Sequence, residues 1–80
     1  MITVYSQPGC TQCRITGTAL TNKGLQEGTD WEYRDLTLPE NAAALEWVME
    51  DLGYKQAPIV VVDDETHWSG FRPDNIAKLS

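Results

Sequence analysis

Eighty residues make room for one domain and a small core, of the size that buries only about 60–65 % of the surface its unfolded chain exposes. Six Lys and Arg stand singly against twelve Asp and Glu, a formal charge of −6, so the chain carries no basic stripe for a nucleic-acid backbone. A hydrophobic content of 41 % is too high for a disordered tail, no apolar run approaches the roughly 20 residues that span a bilayer, and Met1–Tyr5 lacks the basic start of a signal peptide.

Ile2 to Tyr5 reads as a short strand, stopped by Pro8 and Gly9 in the loop Ser6-Gln7-Pro8-Gly9. A helix follows from about Thr11 to Lys23. Four threonines and Gly17 are weak helix formers, so packing through Ile15, Ala19 and Leu20 is expected to hold it. Gly24 is the expected stop, with Lys23 complementing the helix dipole. After the loop Gln26–Asp30, Trp31–Leu36 reads as a half-buried strand. Thr37 and Glu40 have capping-box spacing, and Leu45, Val48, Met49 and Leu52 form an inward helical stripe with Trp47 at its flank, ended by Gly53. Ile59–Val62, four β-branched residues in a row, predicts a strand covered on both faces. Asp63-Asp64-Glu65 is a turn into the strand Thr66–Ser69. Pro73 then opens a helix to Leu79, with Ile76 and Leu79 facing inward.

The order β-α-β-α-β-β-α makes the first two strands parallel and the last two an antiparallel hairpin. It predicts an α/β protein: a mixed four-stranded sheet with three helices on its two faces, residues 1–80 forming one domain.

Chemistry concentrates at Cys10-Thr11-Gln12-Cys13, which holds the only two cysteines. A bridge over two residues removes little entropy from the unfolded chain, so it is a poor staple. A zinc site needs about four ligands, and two cysteines with a distant His67 do not supply them. A redox pair at the mouth of a helix is the remaining use. The thiolate is the nucleophile, and free cysteine, with a pKa of about 8.5, is mostly protonated at neutral pH. Unpaired N–H groups at a helix start favour a negative sulfur. Cys10, just before the helix, is therefore expected to attack, and Cys13, one turn in, to resolve. Arg14 reads as a solvated surface charge. Ala57-Pro58 is either a plain turn or a cis peptide beside Cys10 whose backbone pairs with an extended substrate. His67 has no acidic motif around it and reads as surface.

Cys-x-x-Cys after the first strand and a proline before the third resemble the thioredoxin superfold, and the short length resembles glutaredoxins. Cys10-x-Gln12-Cys13, Gln56-Ala57-Pro58 and Trp68-Ser69-Gly70-Phe71-Arg72-Pro73-Asp74 together resemble the NrdH-redoxin family, glutaredoxin-like in sequence and thioredoxin-like in activity. The resemblance implies a small cytoplasmic, monomeric electron carrier with no bound cofactor beyond a Cys10–Cys13 disulfide and no metal. It implies electrons drawn indirectly from NADPH through thioredoxin reductase and delivered to the large subunit of class Ib ribonucleotide reductase, with no nucleic-acid or membrane partner. Thr11, Gln12, Ala57 and Pro58 would then dock the substrate. Glutaredoxins hold the γ-glutamyl end of glutathione at the start of the last helix, where this chain has Phe71 and Arg72. Trp68, Ser69, Gly70, Phe71 and Arg72 would accordingly select the electron donor and tie the bend to the final helix, although ordinary core packing also accounts for Trp68 and Phe71. The loop before Cys10 departs from the family, which often has a lysine there. The competing readings are a glutathione- or mycothiol-dependent glutaredoxin or mycoredoxin, and a non-catalytic binding module that keeps the fold.

Overall fold

A computed structural model describes residues 1–79. Its strands are Ile2–Ser6 (β1), Trp31–Asp35 (β2), Ile59–Val61 (β3) and His67–Ser69 (β4), and its α-helices are Thr11–Asn22 (α1), Ala42–Glu46 (α2) and Pro73–Ala77 (α3). The sheet order is β2-β1-β3-β4. β1 and β2 are parallel, from Ile2↔Trp31 to Ser6↔Asp35, whereas β3 runs antiparallel to both β1 and β4. The predicted element order and sheet type are therefore those of the structure. β1 lies at the centre, so the loop that leaves its carboxyl end is flanked on both sides.

The β-branched run Ile59–Val62 is covered on both faces, as its composition predicts. Val60 joins Val4, Leu20, Trp31, Trp68 and Ile76 in the core beneath α1 and α3. Ile59 joins Leu36 and Val48 in a second core beneath α2. Leu79 packs at the edge of the first core, beyond the end of α3, which is shorter than the sequence suggests. Of the two core indoles, Trp31 donates to the Leu25 carbonyl at 3.3 Å, while the Trp68 indole N–H has no partner among the described residues.

Helix α1 packs Leu20 and Ala19 on the core as expected but turns Ile15 outward. Ile15 is 42 % exposed, and the buried side is Cys13, Thr16, Gly17 and Leu20, an i, i+3, i+4, i+7 set of mostly small residues. The reason lies in β2. Tyr33 and Trp31 press edge to face, ring centroids 4.8 Å apart, and a Cβ on Gly17 would sit 2.7 Å from the Tyr33 ring and 2.9 Å from that of Trp31. Only a side with no bulk at position 17 lets the helix approach. Thr16 and Thr18 bond back to the carbonyls of Gln12 and Arg14 at 2.8 and 3.1 Å, which satisfies their hydroxyls within the helix. Lys23 serves two helices: its backbone N–H closes the end of α1 on the Ala19 carbonyl at 3.1 Å, and its Nζ reaches the Ala77 carbonyl at the end of α3 at 3.0 Å.

The second helical segment also departs from expectation. The Thr37–Glu40 capping box does not form: Asp35 accepts both the N–H and the hydroxyl of Thr37, at 2.8 and 2.6 Å, in a tight turn. Those bonds hold the Asp35 carboxyl below the usual carboxylate range. The segment begins instead as a 3₁₀ turn at Pro39–Asn41, passes through α2, and widens to a π-helical turn at Trp47–Asp51. The wider turn rotates Met49 off the inward stripe, leaving it exposed, while Val48 stays buried and Trp47 packs at the flank.

The register of α1 is testable by truncation. Leu20→Ala should cost about 2–5 kcal/mol in urea unfolding, the range for fully buried leucines. Ile15→Ala should cost well under half as much, and equal losses would place Ile15 in the core after all.

Candidate active site

Gly9, at φ 74°, turns the chain out of β1 and delivers Cys10 to the helix mouth. Cys10 is the N-cap residue of α1, with extended backbone at φ −88° and ψ 102°. Its sulfur accepts the N–H of Cys13 at 3.1 Å, the place a serine or aspartate oxygen takes in an ordinary cap. The two cysteines are joined in a disulfide, with Cα atoms 5.2 Å apart. Cys10 is half-buried and Cys13 only 3 % exposed, a difference that follows from Cys13 lying on the inward face of α1.

The 57–58 peptide bond is cis, the second of the two readings open for it in the sequence. The register Tyr5↔Ile59 sets Pro58, which is fully buried, opposite Ser6 at the same end of the sheet as the Cys10 loop. Among the described residues, no hydrogen bond within the chain takes up the N–H or C=O of Ala57. The neighbouring groups are engaged. Pro58 accepts the N–H of Gly70 at 2.7 Å, and the Gln56 carbonyl accepts the Ser69 hydroxyl at 2.6 Å.

The 68–72 segment is therefore tied to the Pro58 loop as well as to the final helix, where the Arg72 carbonyl accepts the N–H groups of Asn75 and Ile76 at 3.1 Å each. A second tie runs to the cysteines themselves: the Gln12 side-chain oxygen accepts the Phe71 N–H at 3.3 Å. Trp68 is core, 6 % exposed, and Phe71 packs half-buried against the same cluster. Arg72 is exposed and paired through Nη2 with Asp74 at 3.0 Å, which raises the arginine and lowers the aspartate from their ordinary pKa values. Thr11 is exposed at the helix start.

Tyr33 carries no motif of its own in the sequence. A cleft of about 450 Å³ opens before the disulfide, walled by the 6–9 loop, Arg14 and Tyr33. The Tyr33 hydroxyl donates to the Cys13 carbonyl at 3.4 Å. Partial burial, then the nearby Glu27, raise its pKa, and the Arg14 charge opposes them. The only sequence signal is Gly17, the gap on α1 into which the phenol fits. Arg14, read as a solvated charge, is exposed but stands in the cleft wall. His67 is not a free surface residue: its Nδ1 is 2.7 Å from the Tyr54 hydroxyl. Among the described residues no three His, Cys, Asp or Glu side chains gather as metal ligands, and no helix is long and apolar enough to cross a membrane.

Known proteins similar to this chain point to one family. The Glutaredoxin family profile matches residues 2–68. The Glutaredoxin-like protein NrdH of Escherichia coli K12 is 39 % identical over 98 % of this chain and 86 % of its own length. The NrdH protein of Lactococcus lactis subsp. cremoris is 35 % identical over the whole of both chains. The chain belongs to the glutaredoxin family, among its NrdH-redoxins. The solved NrdH-redoxin of E. coli, a glutaredoxin-like protein described as having a thioredoxin-like activity profile, superposes with a TM-score of 0.75 over 99 % of this chain and 93 % of its own. The glutaredoxin of Archaeoglobus fulgidus, 23 % identical, shares the fold at a TM-score of 0.76, over 98 % of this chain and 83 % of its own. With these relatives and a Cys10–Cys13 disulfide, this redoxin is a thiol-disulfide oxidoreductase.

Gln12 offers a direct test of how the bend is held. Gln12→Ala removes one exposed hydrogen bond, of the kind that contributes about 0.5–1.5 kcal/mol. The Phe71 amide should then exchange with solvent deuterium up to about tenfold faster, with no change at Val60. An unchanged Phe71 rate would mean that the bend does not depend on this tie.

Proposed function

We propose that this redoxin is an electron carrier that reduces protein disulfides, serving the large subunit of class Ib ribonucleotide reductase and itself re-reduced by NADPH through thioredoxin reductase. One observation carries the dithiol chemistry: half-buried Cys10 caps α1 through its sulfur while Cys13 waits buried behind it. In the reduced protein the same N–H and the helix dipole favour the Cys10 thiolate.

The Cys10 thiolate attacks one sulfur of the target disulfide. A Cys10–target bond forms, the target's own S–S bond breaks, and its second sulfur leaves as a thiolate that takes up a proton. Cys13 loses its proton and attacks the Cys10 sulfur. The Cys10–Cys13 bond forms and the mixed disulfide breaks. The target's first sulfur takes up a proton, so two electrons have passed to it and two thiols leave. The free N–H and C=O of Ala57 suit an extended target segment, which would add to that edge as a strand, with Thr11 and Gln12 beside it.

The preference for a protein reductase over glutathione rests on the 69–72 bend. A γ-glutamyl group needs free donors and charge at the start of the last helix. Here the Phe71 N–H is held by Gln12 and the Arg72 guanidinium by Asp74. The E. coli NrdH-redoxin, with its thioredoxin-like activity profile, supports the same choice for this chain. In this reading the chain acts as a single domain, alone, in the cytoplasm, where thiols stay reduced.

A coupled assay tests the reading. With NADPH and thioredoxin reductase, the protein should reduce a protein disulfide and the class Ib reductase should turn over. With glutathione and glutathione reductase it should not. Turnover with glutathione alone would establish a glutathione-fed glutaredoxin instead, mycothiol alone a mycoredoxin, and none with any donor a binding module. Cys10→Ser should abolish turnover. Cys13→Ser should stall at the mixed disulfide, detected as a mass adduct at Cys10, and normal turnover of that variant would reverse the two roles.

A further inference from the structure

The cleft before the disulfide is built by β1, its loop, α1 and β2, and includes no residue of β3, β4 or the 69–72 bend. It therefore lies on the opposite flank of the sulfurs from Ala57 and Pro58, and the docking edge described above leaves it unused.

Its charge differs from that of the rest of the chain. Twelve carboxylates against six cations make the protein acidic, yet no carboxylate lines this cleft and one guanidinium does. The three arginines are unequal. Arg34 is bound to Glu32 at 2.9 Å and Arg72 to Asp74 at 3.0 Å, whereas Arg14 has no carboxylate partner among the described residues. The fork of an arginine matches a carboxylate in geometry as well as charge. Opposite it, Tyr33 is 38 % exposed, and its phenol is within reach of two charges, the Glu27 carboxylate outside the cleft lining and the Arg14 guanidinium in it. Gly17 holds that phenol in place, since any larger residue there would displace it.

We propose that Arg14 and Tyr33 form a recognition site for a carboxylate side chain next to the attacked disulfide in a protein substrate. The site grips an Asp or Glu a residue or two from the target cysteine, while Cys10 faces the sulfur. Arg14 and Tyr33 are specificity-determining residues, and the proposal rests on the disulfide-reducing role given above. An acidic chain of net charge −6 would repel such a segment everywhere except where a free cation meets it.

The test uses the full chain, reduced beforehand, and three synthetic peptides with one internal disulfide each. They are identical except for Glu, Gln or Lys beside the first cysteine. Single-turnover rates are read by quenched-flow separation. The Gln peptide reports the reactivity of Cys10 itself, so each variant is normalised to it. The wild type should reduce the Glu peptide about threefold faster than the Lys peptide at low salt, the scale of an exposed ion pair. The ratio should fall toward one in about 0.5 M salt. Arg14→Glu should invert the order and Tyr33→Phe should lower the ratio. Lys78→Glu changes the net charge as much as Arg14→Glu and should keep the wild-type ratio. Equal effects of Arg14→Glu and Lys78→Glu would reduce the preference to overall charge and overturn the site. A preference for anionic 5,5′-dithiobis(2-nitrobenzoate) over neutral 4,4′-dithiodipyridine without any preference among the peptides would overturn a protein substrate as occupant. Failure to reduce even the Gln peptide would overturn the disulfide-reducing role, and the site with it.

Discussion

A single contact organises this protein: the sulfur of Cys10 takes the N–H of Cys13 and closes the first turn of α1. A helix must satisfy its first N–H groups, and here a redox-active atom does so. The same geometry separates the two sulfurs by burial. The cap residue stands outside the helix proper, and a residue three positions on lies on whichever face the helix turns inward. α1 turns Cys13 inward because Gly17, one turn further along, is the only place where the Trp31–Tyr33 pair of β2 leaves room for it. Packing in the middle of the helix thus decides which sulfur a partner meets.

The remainder of the site is arranged around that turn from both sides of β1. On the β3 side, the Pro58 loop and the 69–72 bend hold each other through the Gly70–Pro58 and Ser69–Gln56 bonds, and Gln12 joins them to the cysteines. Residues 12 and 71 are remote in the chain and adjacent in space, so one hydrogen bond joins the 69–72 bend to the first turn of the helix that carries the cysteines. On the β2 side, Tyr33 and Arg14 face the sulfurs across an open cleft. Centrality of β1 in the sheet is what gives the disulfide two different flanks.

Much of this was legible from residue types. Two cysteines at helix-turn spacing, the β-branched run Ile59–Val62 and Pro73 at a helix start each follow from local chemistry, and each stands where it was read. The errors have a common source. Ile15 is as bulky and apolar as Leu20 and should face the core by hydrophobicity, yet the Trp31–Tyr33 pair leaves room only at Gly17, which turns Thr16 and Gly17 inward and Ile15 out. Thr37 has a glutamate at capping distance, but Asp35 competes for it at two residues' remove and wins with two short bonds. His67 has no acidic motif around it in sequence; Tyr54, 13 residues earlier in the chain, reaches it in the fold. In each case a partner outside the local window changed the outcome.

By itself, then, the sequence determined the element order, the mixed sheet, the dithiol and the family, because these depend on periodicity, on turn-forming residues and on motifs that sit within a few residues of one another. Only the tertiary structure decided which strand is central, which face of α1 is buried, what the 68–72 segment is tied to, and that Tyr33 and Arg14 stand before the sulfurs. Those are contacts between residues far apart in the chain. Their partners are chosen by shape and by the hydrogen bonds still open once the sheet has formed, and no local pattern of residue types encodes that choice.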